Sequence, residues 1–266
     1  MINTDTQKPQ VLNYQDQGKG DVILLVHGLF GTLDNLNMVA KPLAKKYRVI
    51  SVDAPNHGAS FHRNNMDYTV IARDIIHLLE HLTIDSVNIL GHSMGGKIAM
   101  QVALDHPTWV KKLIVADIAP VAYPPHHQDI INGLQLIDLS IIKTRQDADK
   151  QLAKYVDDVG IRYFLLRNLS MNENKQWRFK CNLDYIAQCY PQIMKANTLS
   201  AHTKAFTGET LFIKGGQSDY ILPEYEQAIY DLFPMSKAKI IQKAGHWLHA
   251  EKSVAFNKIT MDFFDD

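Results

Sequence analysis

Val87-Asn88-Ile89-Leu90-Gly91-His92-Ser93-Met94-Gly95-Gly96 is the stretch on which the fold turns. VNIL is a short apolar run of the kind a strand buried on both faces requires. Lys97 to Leu104 (KIAMQVAL) has helical patterning, so the pentapeptide between them, G-x-S-x-G, falls on a strand-to-helix turn. Such a turn is sharp and tolerates only small neighbours at Gly91 and Gly95. It would lift the Ser93 hydroxyl above the sheet, at the start of a helix whose free N–H groups and dipole favour a developing oxyanion. A chance G-x-S-x-G is common; one set between a buried strand and a helix is not.

Outward from this turn the same alternation repeats. Val22–Val26 (VILLV), Tyr47–Val52 (YRVISV) and Leu113–Ala116 (LIVA) read as buried strands. Tyr68–Leu82 carries Val70, Ile71, Ile75, Leu78, Leu79 and Leu82 at helical spacing. Strands Thr210–Lys214 and Ala238–Gln242 and a helix from Ser253 to Phe264 close the chain. Strands alternating with helices imply an α/β protein with a mainly parallel sheet. From Val121 to Phe206 the strand signals nearly vanish. Helical stretches at Gln128–Leu139, Arg145–Val156, Ile161–Asn168 and Leu183–Ala196 replace them. The reading is an α/β core of residues 1–120 and 207–266 with a helical cap inserted at 121–206.

Two further motifs fall at expected strand ends. His27-Gly28-Leu29-Phe30-Gly31 follows ILLV directly, where a glycine turn can present a second backbone donor to an oxyanion. The candidate donors are the N–H groups of Leu29 and Met94. Gly245-His246-Trp247-Leu248-His249 follows the last strand, and a serine nucleophile needs such a base with a pKa near working pH. Of 12 histidines, His246 stands out by position, near the C-terminus and after the serine; His62, His77, His81, His106 and His202 do not. The partner acid is open at this point. Asp117 ends the strand LIVA and Asp219 follows the strand TLFIK, both between serine and histidine in order. Asp117, after four apolar residues, is expected to be buried and in need of a partner, which favours it; Asp219 can be solvated without cost. Phe30, His92, Trp247 and Tyr220 are the candidate substrate contacts.

Other chemistries find little support. His126-His127 reads as a pair at a helix start whose side chains diverge, and no ligand set of metal spacing accompanies it, so neither metal nor cofactor is expected. Gly18-Lys19-Gly20 precedes a strand rather than following one, which excludes a dinucleotide loop. Cys181 and Cys189 suit core packing, and Trp177-Arg178-Phe179 suits helix-end packing or a ligand contact in the cap. With 28 basic and 28 acidic side chains the formal charge is zero, against a nucleic-acid binder. The longest aliphatic run has five residues, far short of a bilayer span, and Met1–Gln10 has no apolar signal region. The expectation is a cytoplasmic protein, monomeric or weakly dimeric, with no membrane partner.

Six ordered segments carry a family resemblance: LVHGLFGTLDNL (25–36), DAPNHGAS (53–60), GHSMGGK (91–97), ADIAP (116–120), WRF (177–179) and AGHWLHAEK (244–252). Together they resemble the YbfF-type esterases of the α/β-hydrolase superfamily. Pro55 departs from the arginine expected before Asn-His-Gly. The resemblance implies a serine hydrolase under a helical cap, acting on short-chain carboxylic esters and, as a further class, acyl-CoA thioesters. It also favours Asp117, in the DIAP segment, as the acid. Ser93 would attack, His246 would carry the proton and the aspartate would orient the imidazole. Two rivals stand: a carbon–carbon bond hydrolase using the same triad, and a slow-turnover ligand receptor on the same fold. A steady release of p-nitrophenol from simple esters separates an enzyme from a receptor.

Overall fold

The computed structural model describes residues 10–199 and 204–266; the first nine residues and His202 lie outside the described residues. Nine strands and ten α-helices are formed within them. Seven strands build one sheet: β1 (Tyr14–Gly18), β2 (Val22–Val26), β3 (Arg48–Val52), β4 (Val87–His92), β5 (Val110–Ala116), β8 (Glu209–Gly215) and β9 (Ser236–Ile241). Their order is β1-β3-β2-β4-β5-β8-β9. Only β1 runs antiparallel, paired with β3; every other pairing is parallel.

The apolar runs explain this layering. Along β2, Leu24 and Val26 face one layer and Ile23 and Leu25 the other, because successive strand side chains point to opposite faces. The first layer packs on α2 (Tyr68–His81) and α3 (Met94–Asp105) through residues such as Ile71, Ile75 and Ile98. The second packs on α1 (Asn37–Leu43) and α10 (Ser253–Asp265) through Val39, Phe256 and Phe263. A strand covered on both sides has no polar face, so alternation is absent from its sequence.

Between β5 and β8 the chain leaves the sheet. It forms α4 (Gln128–Gln135), α5 (Arg145–Leu152), α6 (Val159–Leu166) and α7 (Leu183–Ile193); α4, α5 and α7 are shorter than the expected stretches, and α6 has the expected length but begins two residues earlier. It also forms a hairpin of β6 (Leu169–Met171) and β7 (Trp177–Phe179), which corrects the expectation of an insertion nearly free of strands. Trp177-Arg178-Phe179 is thus a strand, and Trp177 stacks under the guanidinium of Arg145, the first residue of α5. Three-residue strands are too short to show a period, which is why the sequence conceals them. The hairpin turn places Lys175 at φ 59°. Two short helices, α8 (Glu226–Leu232) and α9 (Leu248–Glu251), complete the described chain, and no described helix is long and apolar enough to cross a membrane.

Candidate active site

Ser93 sits between β4 and α3 with φ 54° and ψ −121°, a conformation that costs about 1–3 kcal/mol and persists only where packing imposes it. The packing is visible at the flanking glycines. A Cβ on Gly91 would lie 2.1 Å from the Gly95 carbonyl oxygen, and one on Gly95 would lie 2.2 Å from the Val26 carbonyl oxygen. Only glycine fits at either place, and the tight crossing holds Ser93 at the carboxyl end of the sheet.

His246, in the loop between β9 and α9, meets this serine. Its Nε2 accepts from the Ser93 hydroxyl at 2.9 Å. Its Nδ1–H donates to Asp117 Oδ2 at 2.7 Å. Asp117 is fully buried and follows β5 directly, at φ 53°. Its Oδ1 accepts the Gly215 N–H at 2.9 Å, and its Oδ2 also accepts the Ser218 hydroxyl. Asp219 is exposed beside it, and the hydrogen bonds of the His246 ring among the described residues go to Asp117 and Ser93 instead. The structure therefore brings Ser93, His246 and Asp117 into one hydrogen-bonded chain and leaves Asp219 outside.

The loop after β2 closes the other side of Ser93. A Cβ on Gly28 would stand 3.2 Å from Ser93 Cβ, tighter than ordinary van der Waals contact, so this backbone passes close to the serine. Two buried histidines shape it. His57 Nδ1–H donates to Pro55 O at 2.9 Å, leaving Nε2 to accept the Phe30 N–H at 3.1 Å. His27 Nδ1–H donates to Gly28 O at 2.8 Å, and its Nε2 accepts the Ala54 N–H at 3.1 Å. Asn168, reaching down from the insertion, donates to Phe30 O, fixing Phe30 at φ 58°. Both histidines must be neutral to accept in this way. Burial accordingly pushes His57 down to about 3 and lowers His27 as well. The amides of Leu29 and Met94 meet no acceptor among the described residues, which leaves both free for an anionic oxygen.

A cavity of about 290 Å³ opens over Ser93, between the sheet and the insertion. Phe30, His92, Tyr220 and Trp247, expected as substrate contacts, all line it. Their situations differ. Tyr220 lies stacked on the His246 ring, centroids 3.9 Å apart, and Trp247 packs on Phe164 of α6. His92 is buried and its Nε2–H donates to the His246 carbonyl at 2.8 Å, so the ring is committed to holding the His246 loop. Burial, reinforced by His249 and His246, keeps His92 well below the usual histidine range. Ile130, Ile161 and Leu165 give the cavity an apolar roof.

The arrangement of sheet, insertion and hydrogen-bonded serine has many relatives. A family profile described as the alpha/beta hydrolase fold matches residues 21–253. The chain belongs to the α/β-hydrolase family. Among its members, Esterase YbfF of Escherichia coli strain K12 is 35% identical over 95% of this chain and 96% of its own length. The sn-1-specific diacylglycerol lipase ABHD11 of Mus musculus is 36% identical over 91% of this chain and 80% of its own. A solved structure, a marine microorganism esterase, superposes with a TM-score of 0.91 at 38% identity, covering 96% of this chain and 99% of that one. The resemblance to the YbfF-type esterases thus holds along nearly the whole α/β-hydrolase chain.

Sequence reasoning missed part of this α/β-hydrolase site. His126 and His127 lie before α4, not on it, and instead of diverging their rings sit 4.0 Å apart, both lining the cavity. His126 Nε2 is hydrogen-bonded to the Tyr220 hydroxyl at 2.6 Å, tying the insertion to the ring that covers His246. Pro124 and Pro125 ahead of the pair break the chain's regular structure, but proline is at home in a first helical turn, so they do not by themselves place the pair outside α4. His27 lies in HGLFG and His57 in DAPNHGAS, yet nothing in sequence marks a histidine as a neutral backbone acceptor. Among the described residues no cluster of His, Cys, Asp and Glu is arranged to hold a metal.

Proposed function

We propose that this protein is a serine hydrolase that cleaves carboxylic esters through an acyl-serine intermediate. The observation that carries the reading is the continuous chain Ser93 Oγ–H to His246 Nε2 and His246 Nδ1–H to Asp117 Oδ2, open to an apolar cavity. In this geometry His246 takes the Ser93 proton as the hydroxyl attacks the ester carbonyl. Asp117 holds the imidazole in the tautomer that can accept, and stabilises it once charged. The Leu29 and Met94 amides receive the oxyanion. His246 then returns the proton to the leaving alcohol, and water repeats the sequence on the acyl-serine.

Residues 121–206 act as the cap, with Phe30, Trp247 and Tyr220 contacting substrate beneath it. Acyl-CoA thioesters are a second substrate class for the same machinery, since only the leaving atom differs. The esterase and lipase names of the relatives support the ester reading. The test is a fluorophosphonate probe together with a panel of p-nitrophenyl esters and acyl-CoAs. Labelling of Ser93 alone, with turnover lowered by about 10⁴ to 10⁶ in Ser93→Ala, is expected. Labelling elsewhere, or an active alanine variant, refutes the assignment, and a single stoichiometric event in place of turnover favours a receptor.

A further inference from the structure

Lys97 is a lysine out of place. It lies on α3, its N–H bonded to Ser93 O at 3.1 Å, and its side chain is only 1% exposed. Among the described residues no carboxylate stands within ion-pair reach, and burial pushes it down to about 7. A methionine would fill the same space without that cost. What the amine contributes is a pair of hydrogen bonds, one to Val121 O and one to Lys195 O at 2.5 Å. Those two carbonyls belong to the two ends of the insertion, where the chain leaves the sheet after β5 and where it begins its return. The ends are also joined to each other, by Tyr123 N–H to Met194 O at 2.9 Å and Asn197 N–H to Pro120 O at 3.2 Å. Gln101, one turn further along α3, grips only the returning end, through Thr198 O at 3.0 Å.

We propose that Lys97 is a positioning residue that fastens both ends of the insertion to the helix bearing Ser93, and through them seats His246. The route to His246 is short. The ammonium lies 5.0 Å from the Tyr123 ring centre, Tyr123 donates its hydroxyl hydrogen to Tyr220 O, and the Tyr220 ring stacks on His246. Lys97, Tyr123 and Met194 also wall a small cavity of about 30 Å³ beside Ser93, so the same fastening fixes that wall. Losing the two bonds frees the ends together, whereas losing Gln101 frees one.

The experiment pairs amide hydrogen exchange with kinetics in Lys97→Met, which keeps length but donates nothing, and Lys97→Gln, whose amide can reach one end. In Lys97→Met the Tyr123 and Asn197 amides should lose protection about tenfold or more, as an unmade buried bond implies, while the amides of β4 and β5 keep theirs. Lys97→Gln should fall between. The kinetic arm rests on the ester-hydrolase reading: kcat should fall about tenfold or more with KM changing less, because a displaced His246 weakens the chemical step before it weakens binding. Equal protection in all three proteins overturns the proposal. So does a parallel loss over the whole sheet, which marks general destabilisation. If no ester is turned over even by the unaltered protein, the functional reading fails, while the exchange result still decides whether Lys97 fastens the insertion.

Discussion

Replacing Asp117 by asparagine changes one atom, and the surrounding bonds dictate the outcome. The Gly215 N–H donates to Oδ1 at 2.9 Å, so the asparagine oxygen is held on that side and its NH2 must face His246 and Ser218. An NH2 cannot accept from His246 Nδ1–H across 2.7 Å. The imidazole then carries its proton on Nε2, the nitrogen that must accept from Ser93 at 2.9 Å. The wrong tautomer and the lost stabilisation of the imidazolium together cost about 10⁴ in kcat, or about 5.5 kcal/mol at 1.36 kcal/mol per decade. Asp219→Asn removes only an exposed charge and should stay within about twofold. The assay is initial-rate hydrolysis of p-nitrophenyl butyrate by both variants, with thermal unfolding to show that each remains folded. A loss in Asp219→Asn as large as in Asp117→Asn would refute the reasoning, as would an Asp117→Asn enzyme retaining a tenth of wild-type kcat.

Chain-length preference follows from the cavities: with about 290 Å³ over Ser93 and about 30 Å³ beside it, kcat/KM should be highest for acetyl to butyryl esters and fall toward palmitoyl. A steady rise across p-nitrophenyl acetate, octanoate and palmitate would contradict it. Acid should unfold the protein early. His57, His92 and His249, all buried, are held at about 3, well below the usual range and about 4, so each is neutral when folded but takes a proton near 6.5 when unfolded. The unfolded state then binds more protons from about pH 6.5 downward, and stability falls with pH by on the order of 1 kcal/mol per unit for each of the three. Urea midpoints measured at pH 7, 6 and 5 should drop progressively; a flat series would mean these rings do not stay neutral.

The features legible in sequence were those fixed by local chemistry. Parallel strands buried on two faces announce themselves as VILLV and VNIL, and the turn at Ser93 is announced by two glycines that no other residue can replace. The strand β1 was not legible: YQDQG lies at the edge with an exposed side, and it is held by its antiparallel pairing to β3, a contact across the chain. The same holds for the hairpin in the insertion. His57 and Asn168 shape the loop after β2 from far along the chain, through a ring nitrogen and an amide that meet Phe30 only after folding.

The choice of acid shows where such reading must stop. β5 and β8 are neighbours in register, with Ala116 opposite Ile213, so the residues that follow each strand converge on one point beneath His246. Sequence order and strand ends cannot separate Asp117 from Asp219 there. What separates them is which residue of the second loop turns inward. Gln217 N–H closes on Ala244 O and Ser218 N–H on Gly215 O, a tight turn that buries Ser218 and leaves Asp219 on the outside. The place a carboxylate could have taken from that loop is filled by the Ser218 hydroxyl, which donates to Asp117. A second carboxylate at the same point would repel the first and strongly raise the proton affinity of one of the two, so the site would hold an extra proton in place of the Ser218 hydroxyl hydrogen. One acid, itself held by the Ser218 hydroxyl, pairs with His246, and the turn at Ser218 decides which strand supplies it.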